Sequence, residues 1–173
     1  MILGQAVTTL DDKKRMNIPS KFRGYFQVNE NIVISRGFEG CLVIRSIDEF
    51  TKWQNKILQQ SEGLKESRIL SRQIFANSEV VLIDAKGRIM IPSSLLEISQ
   101  IKGKVIVIGM SNKLEVWAEE KWKAFDDETK DKLEEVASVM SNKVVVLSQK
   151  PEKSFDSETK DKLEEVASLL TEF

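Results

Sequence analysis

The 173-residue chain has no histidine, one cysteine and three prolines. Without histidine there is no Ser-His-Asp or Cys-His nucleophile, and the commonest zinc sites, built from His or several Cys, are missing too. The lone Cys41 has no internal disulfide partner, which points to a reducing, cytoplasmic setting. Lying in an apolar strand, it reads as a buried structural thiol. Apolar runs such as residues 105–108 fall far short of the ~20 residues a membrane span requires. No basic-then-apolar segment opens the chain, so neither a membrane association nor a secretory signal is expected. Nucleophile–base pairs, metal-ligand clusters and Gly-rich phosphate loops are equally missing from the pattern. The expectation is a non-enzyme with no catalytic residues, no metal, no cofactor and no small-molecule substrate.

What the chain does have is a repeat. Residues 11–20 read DDKKRMNIPS and residues 84–93 read DAKGRIMIPS. Asp, Lys, Arg, Ile, Pro and Ser recur in register at 11/84, 13/86, 15/88, 18/91, 19/92 and 20/93, a constant offset of 73. A repeat of this length marks one supersecondary unit used twice.

The flanks agree. Residues 2–10 read as a strand, 11–14 as a turn, 15–18 as a short strand and 20–26 as a short helix begun by Pro19. Strands follow at 31–35 and 41–45, joined by a loop with Gly37 and Gly40. A helix capped by Asp48 then carries Phe50, Trp53, Ile57 and Leu58 at helical spacing. Residues 59–63 form a linker, and a second helix runs from 64 to about 76. Strand (79–83), turn, short strand (88–91), short helix (92–99), two strands (104–108 and 114–117) and a helix opening at Glu119 then repeat the order. Trp53, Trp117 and Trp122 read as packing residues rather than base-stacking platforms. The chain therefore divides into a first module (1–63), a linker helix with a second module (64–140) and a tail (141–173).

The tail holds a different repeat. Residues 123–140 and 153–170 are identical at 14 of 18 positions. Each copy reads as an amphipathic helix, with Leu133, Val136, Ala137 and Met140, or Leu163, Val166, Ala167 and Leu170, on one side. Asp126 or Asp127 is the expected N-cap of the first, and Asp156 or Ser157 of the second. Residues 143–147 echo the strand at 104–108, as a tandem duplication of strand and helix would.

Charge is unevenly placed. Residues 1–92 hold 14 Lys+Arg and 10 Asp+Glu, and residues 93–173 hold 12 and 17. All seven arginines lie at or before Arg88. Arginine's planar fork suits bidentate binding to phosphate and guanine. Two D-x-K-x-R loops in identical settings are what a nucleic-acid reader with a pseudo-twofold would present. An Asp accepting from turn N–H groups would hold the neighbouring Arg in one direction.

The paired D-x-x-x-R loops, the Ile-Pro-Ser after each, Arg36-Gly37-Phe38-Glu39-Gly40-Cys41-Leu42, Phe75-Ala76, Val107-Ile108-Gly109 and Leu114-Glu115-Val116-Trp117 together resemble the MraZ family of bacterial transcriptional regulators. Its modules belong to the AbrB/SpoVT swapped-hairpin superfamily. The likeness covers residues 1 to about 140. It implies an α+β fold in which two tandem AbrB-like swapped-hairpin β modules form a pseudo-dimer, with flanking helices and a helical C-terminal tail. It also implies a ring-like homo-oligomer, nucleoid-associated, that binds upstream direct repeats in double-stranded DNA and represses the division and cell-wall gene cluster. Carried onto this chain, Arg15 and Arg88 become the principal DNA contacts, Lys13 and Lys86 add phosphate contacts, and Asp11 and Asp84 structure the loops. The chain departs from the family at Lys14, where Gly is usual. Lys14 adds a positive charge to the DNA-contacting set, and its Cβ opposes positive φ, so the first loop is expected to differ in shape from the second. A second reading, an antitoxin-like or assembly module that grips a protein partner, draws on the duplicated amphipathic helix of the tail.

Overall fold

A computed structural model describes residues 1–60 and 63–148 of the chain; the second tail copy at 153–170, with its expected caps Asp156 and Ser157, lies outside the described residues. The described residues fall into two units, Met1–Ala124 and a second that begins at Phe125.

The first unit runs β1 (Ile2–Thr9), β2 (Arg15–Asn17), a 3-10 turn (Ser20–Phe22), β3 (Asn31–Arg36), β4 (Leu42–Ser46), α1 (Ile47–Leu58) and α2 (Lys65–Phe75). It continues through β5 (Ser78–Leu82), β6 (Arg88–Met90), α3 (Ser93–Ser99), β7 (Lys104–Ser111), β8 (Lys113–Ala118) and the start of α4 (Glu119–Thr129). Six strands make one antiparallel sheet in the order β1-β7-β8-β4-β3-β5, while β2 and β6 pair as a separate ribbon. The first strand of each half therefore leaves its own half and closes the hairpin of the other: β1 lies on β7, and β5 lies on β3. The two hairpins meet at β4–β8. This is the strand exchange of a swapped-hairpin pseudo-dimer, built within one chain.

Alternation along the strands explains the core. Ile32 and Ile34 of β3, Leu42 and Ile44 of β4, Val105 and Val107 of β7, and Leu114 and Val116 of β8 share one face and are at most 1% exposed. They pack on Met16, Ile18, Ile89 and Ile91, which point inward from the ribbon and the residue after it. Branching at Cβ suits the valines and isoleucines among them to the pleated setting they occupy.

On the opposite face helices cover the central strands, where Val33, Val43 and Ile106 are buried, and leave Leu3, Val7, Val80 and Leu82 of the edge strands exposed. Ser46 caps α1, its Oγ accepting from the Glu49 N–H at 3.2 Å, and Asp48 sits in the first turn, where its charge suits the helix N-terminus rather than capping it. Trp53 lies over the Arg45 guanidinium at 4.2 Å, and Trp122 packs edge-on against Trp117 at 5.5 Å. Arg45 and Trp117 stand at matching places, opposite Val33 and Ile106, so both tryptophans serve the same packing role. Cys41 lies not in a strand but at the end of the β3–β4 loop, one residue before β4; it is buried, and loss of solvent pushes its thiol up to about 12.

The repeat is not carried through everywhere. The helix expected over 20–26 is only a 3-10 turn at Ser20–Phe22, because Gly24 would cost about 1 kcal/mol in a helix interior. Phe22 and Phe26, each 2% exposed, anchor the segment instead. Its counterpart α3 has no glycine and completes its turns.

In the second unit, α4 ends at Thr129, a 3-10 turn spans Lys130–Lys132, and α5 covers Leu133–Ser148. The helix expected over 123–140 is thus interrupted. It needs no cap at Asp126 or Asp127, because the chain is already helical from Glu119, and Asp127 binds Lys130 at 2.7 Å instead. Residues 143–147 are helical rather than extended. A β-branched run gains from a strand only with a partner edge, whereas an existing helix adds residues at little cost. Leu133, Val136 and Met140 of this helix are 74%, 56% and 49% exposed.

One contact tests the exchange directly. A Cβ at Gly109 would stand 2.7 Å from the Ile2 carbonyl carbon, where β1 crosses β7. Gly109→Ala is expected to destabilise by about 1–3 kcal/mol, read as a lower urea midpoint at unchanged slope. Gly24→Ala, where a Cβ meets open space, is expected to be neutral or to stabilise by about 0.5 kcal/mol.

Candidate nucleic-acid interface

The repeated loops fold as near copies. In the first, the Asp11 Oδ1 accepts from the backbone N–H groups of Lys13 and Arg15 at 2.9 and 3.0 Å. Its Oδ2 accepts from Arg15 Nε at 2.8 Å and Nη2 at 2.7 Å. In the second, Asp84 accepts from the N–H groups of Lys86 and Arg88 at 2.8 and 2.9 Å, and from Arg88 Nε and Nη2 at 2.7 and 2.6 Å. One carboxylate thus closes the turn and grips one edge of the guanidinium. Among the described residues, Nη1 of each arginine has no protein acceptor, so the outer edge of each fork stays available.

Each loop is also tied to the other half. The Ile91 N–H donates to the Lys14 carbonyl and the Ile18 N–H to the Gly87 carbonyl, both at 3.0 Å. The loops thereby flank a single ribbon in which Arg15 faces Met90, Met16 faces Ile89 and Asn17 faces Arg88. Met16 and Ile89 are fully buried. Arg15, Asn17, Arg88 and Met90 consequently share the outward face, with the arginine side chains 30% and 24% exposed. The ribbon lies on its own core as a rigid platform.

The first loop is not reshaped by Lys14. Its φ is 60°, close to the 74° of Gly87, so the reciprocal bonds to the opposite half impose the turn on a residue that resists it. The Lys14 ammonium donates to the Ser93 hydroxyl at 2.6 Å, at the start of α3. The second loop has no lysine at that place, but Arg23 supplies the cation. Its guanidinium lies against Gly87, where a Cβ would meet Nε at 3.2 Å, and Nε donates to the Ile18 carbonyl at 2.9 Å. Each loop thus has three cations nearby: Lys13, Lys14 and Arg15 for one, Arg23, Lys86 and Arg88 for the other. Arg23 escapes a reading of the motif because the exchange brings it from the other half. Asn17 and Met90 also belong to the outward face. The signal for them is the two-residue period of a strand counted from the neighbouring arginine.

The bond from Arg15, followed by the backbone donors, lowers the Asp11 carboxyl to about 2, and Arg88 does the same for Asp84. Both folded values lie below the ordinary aspartate value. Their contribution to stability is therefore complete above about pH 4 and is lost as pH falls toward 2. Carbon-detected carboxyl titration should place both midpoints near 2, with the Lys13, Arg15, Lys86 and Arg88 amides shifting together as the loops release. Replacing Lys14 by Gly removes a positive-φ penalty of about 1–2 kcal/mol against roughly 0.5–1 kcal/mol of added chain freedom, for a net gain of about 0.5 kcal/mol in chemical unfolding.

Comparison with known proteins agrees with the repeat. The family described as MraZ protein, putative antitoxin-like, matches twice, at residues 1–73 and 74–143. The transcriptional regulator MraZ of Mesoplasma florum is 41% identical over 128 residues, covering 74% of this chain and 87% of its own. The protein of the same name from Mycoplasmoides gallisepticum is 36% identical over 137 residues, covering 79% and 95%. That of Caldanaerobacter subterraneus is 35% identical over 137 residues, covering 79% and 94%. With both halves matched, and relatives aligned over most of their own length, the chain belongs to the MraZ family.

Proposed function

We propose that this protein is a sequence-specific DNA-binding transcriptional regulator. It acts by binding and not by catalysis. The observation that carries the reading is the pair of Asp-held arginines on one outward ribbon face. A guanidinium bound side-on by a carboxylate is pre-aligned, and its outer edge matches guanine O6/N7 or two phosphate oxygens. A two-stranded ribbon is also a shape that the major groove admits. Arg15 and Arg88 make the principal contacts, while Lys13, Lys14 and Lys86 bind phosphate, joined by Arg23. Asp11 and Asp84 face away from phosphate and hold the loops.

A net charge of −1 and few phosphate contacts per protomer give one copy weak affinity. Useful affinity then comes from a ring-like homo-oligomer engaging several direct repeats at once, through effective concentration. By likeness to its family, the target is the upstream region of the division and cell-wall gene cluster, and the outcome is repression. The site of action is the cytoplasm, at the nucleoid.

The exposed apolar side of α5 favours a second reading for the tail, capture of a protein partner. Deleting 133–173, which removes that side, leaves DNA binding intact under the first reading and abolishes partner capture under the second.

Fluorescence anisotropy with a duplex of several direct repeats from the protein's own upstream region tests the main reading. Wild-type protein is expected to bind with an affinity that falls with salt, at a slope of about −0.9 per phosphate neutralised. Arg15→Ala plus Arg88→Ala is expected to lose binding at least tenfold, at 1–3 kcal/mol for each bidentate contact, with the oligomer unchanged by light scattering. Salt-independent binding, or full binding by the double variant, refutes it.

A further inference from the structure

Besides the exchange of Lys14 for Gly87, the two ends of the ribbon differ on its outward face in a way that its pseudo-twofold does not require. Arg15 and Arg88 occupy equivalent places in the repeat, and so do Asn17 and Met90. The first pair is identical in chemistry and in its aspartate partner. The second pairs a carboxamide with a thioether. Both are exposed on the same outward face, Met90 at 63%. Arg15 sits opposite Met90, and Arg88 sits opposite Asn17. Each arginine therefore has a different neighbour across the ribbon.

We infer that Asn17 and Met90 are specificity-determining residues that make the two half-sites chemically unequal. Asn17 reads adenine beside the base bound by Arg88, and Met90 covers a thymine methyl beside the base bound by Arg15. This inference rests on the DNA-binding reading above. The carboxamide can pair in both directions with adenine N6 and N7, whereas a thioether offers only apolar contact, which the major groove provides at the thymine C5-methyl. A phosphate role is excluded for Met90 by its lack of donors. A packing role within its own unit is excluded by its exposure: the inward places of the ribbon are already filled by Met16 and Ile89. A fold with two equivalent halves would bind an inverted repeat. With Asn at one end and Met at the other, one protomer has a direction on the duplex.

The test is selection by the intact chain from a pool of duplexes with a randomised core. Thymine is then replaced by uracil, which removes only the C5-methyl, at each position of the enriched sequence. Wild type is expected to enrich a core that is not an inverted repeat, and to lose about fourfold in affinity at one uracil position. Met90→Ala is expected to bind both forms equally. Met90→Asn, which gives both arginines the same neighbour across the ribbon, is expected to enrich an adenine beside the base bound by each arginine. Both variants change an exposed side chain, and thermal unfolding monitors their folding. If wild type enriches a core but no uracil position matters, or Met90→Ala keeps the same uracil penalty, the inference is overturned and the DNA reading stands. If wild type enriches nothing at low salt, the DNA reading fails and this inference with it.

Discussion

Strand exchange is the constraint on which the other features rest. A β3–β4 hairpin or a β7–β8 hairpin alone would expose a flank of the sheet, and each flank is closed by the strand that opens the opposite half. Because β1 and β5 have left their own halves, the short strands that follow them meet at the pseudo-twofold and form the ribbon. Ribbon, inward isoleucines and outward arginines are thus consequences of one topological choice. The Asp–Arg pairs stand in solvent, where screening and side-chain entropy leave an ion pair little to add to global stability. Their value is directional, and it depends on the bonds from Ile18 and Ile91 that fix each loop to the other half.

Those bonds also account for a loop that breaks a local rule. Lys14 takes a left-handed conformation that glycine adopts freely at the matching place. A local preference worth one or two kcal/mol yields to hydrogen bonds and packing that the whole ribbon shares. The strain lies next to the arginine that the proposed function uses, a common place for backbone strain. It brings a third cation to a loop whose counterpart borrows Arg23.

Much of this was legible in the sequence, and the reasons are physical. The short β-branched runs of β3, β4, β7 and β8, the constant offset of 73 and the Asp-turn-Arg spacing all encode geometry locally, and the strands, the repeat and the Asp–Arg bonds follow from them. What was not legible depends on partners distant in the chain. Ser46 rather than Asp48 caps α1 because the cap is set by where β4 ends. The short helix at 20–26 fails through Gly24, while its counterpart at Ser93–Ser99 forms. Residues 143–147 have the composition of a strand but continue a helix already under way. Arg23 reaches Gly87 only because the halves interlock, which no window of local sequence reports.

The exchange has a consequence for synthesis. The first strand made, β1, pairs in register from Ile2↔Ser111 to Thr9↔Lys104, so its partner leaves the ribosome about a hundred residues later. At ordinary elongation rates that interval is roughly 5–20 s. Throughout it, a nascent chain displays Leu3 and Val7 on a strand with neither edge satisfied. Growth from the N-terminus cannot complete one half and then the other. The six-stranded sheet closes only when Ala118 has emerged, so the two halves are obliged to mature as one event despite being made in sequence.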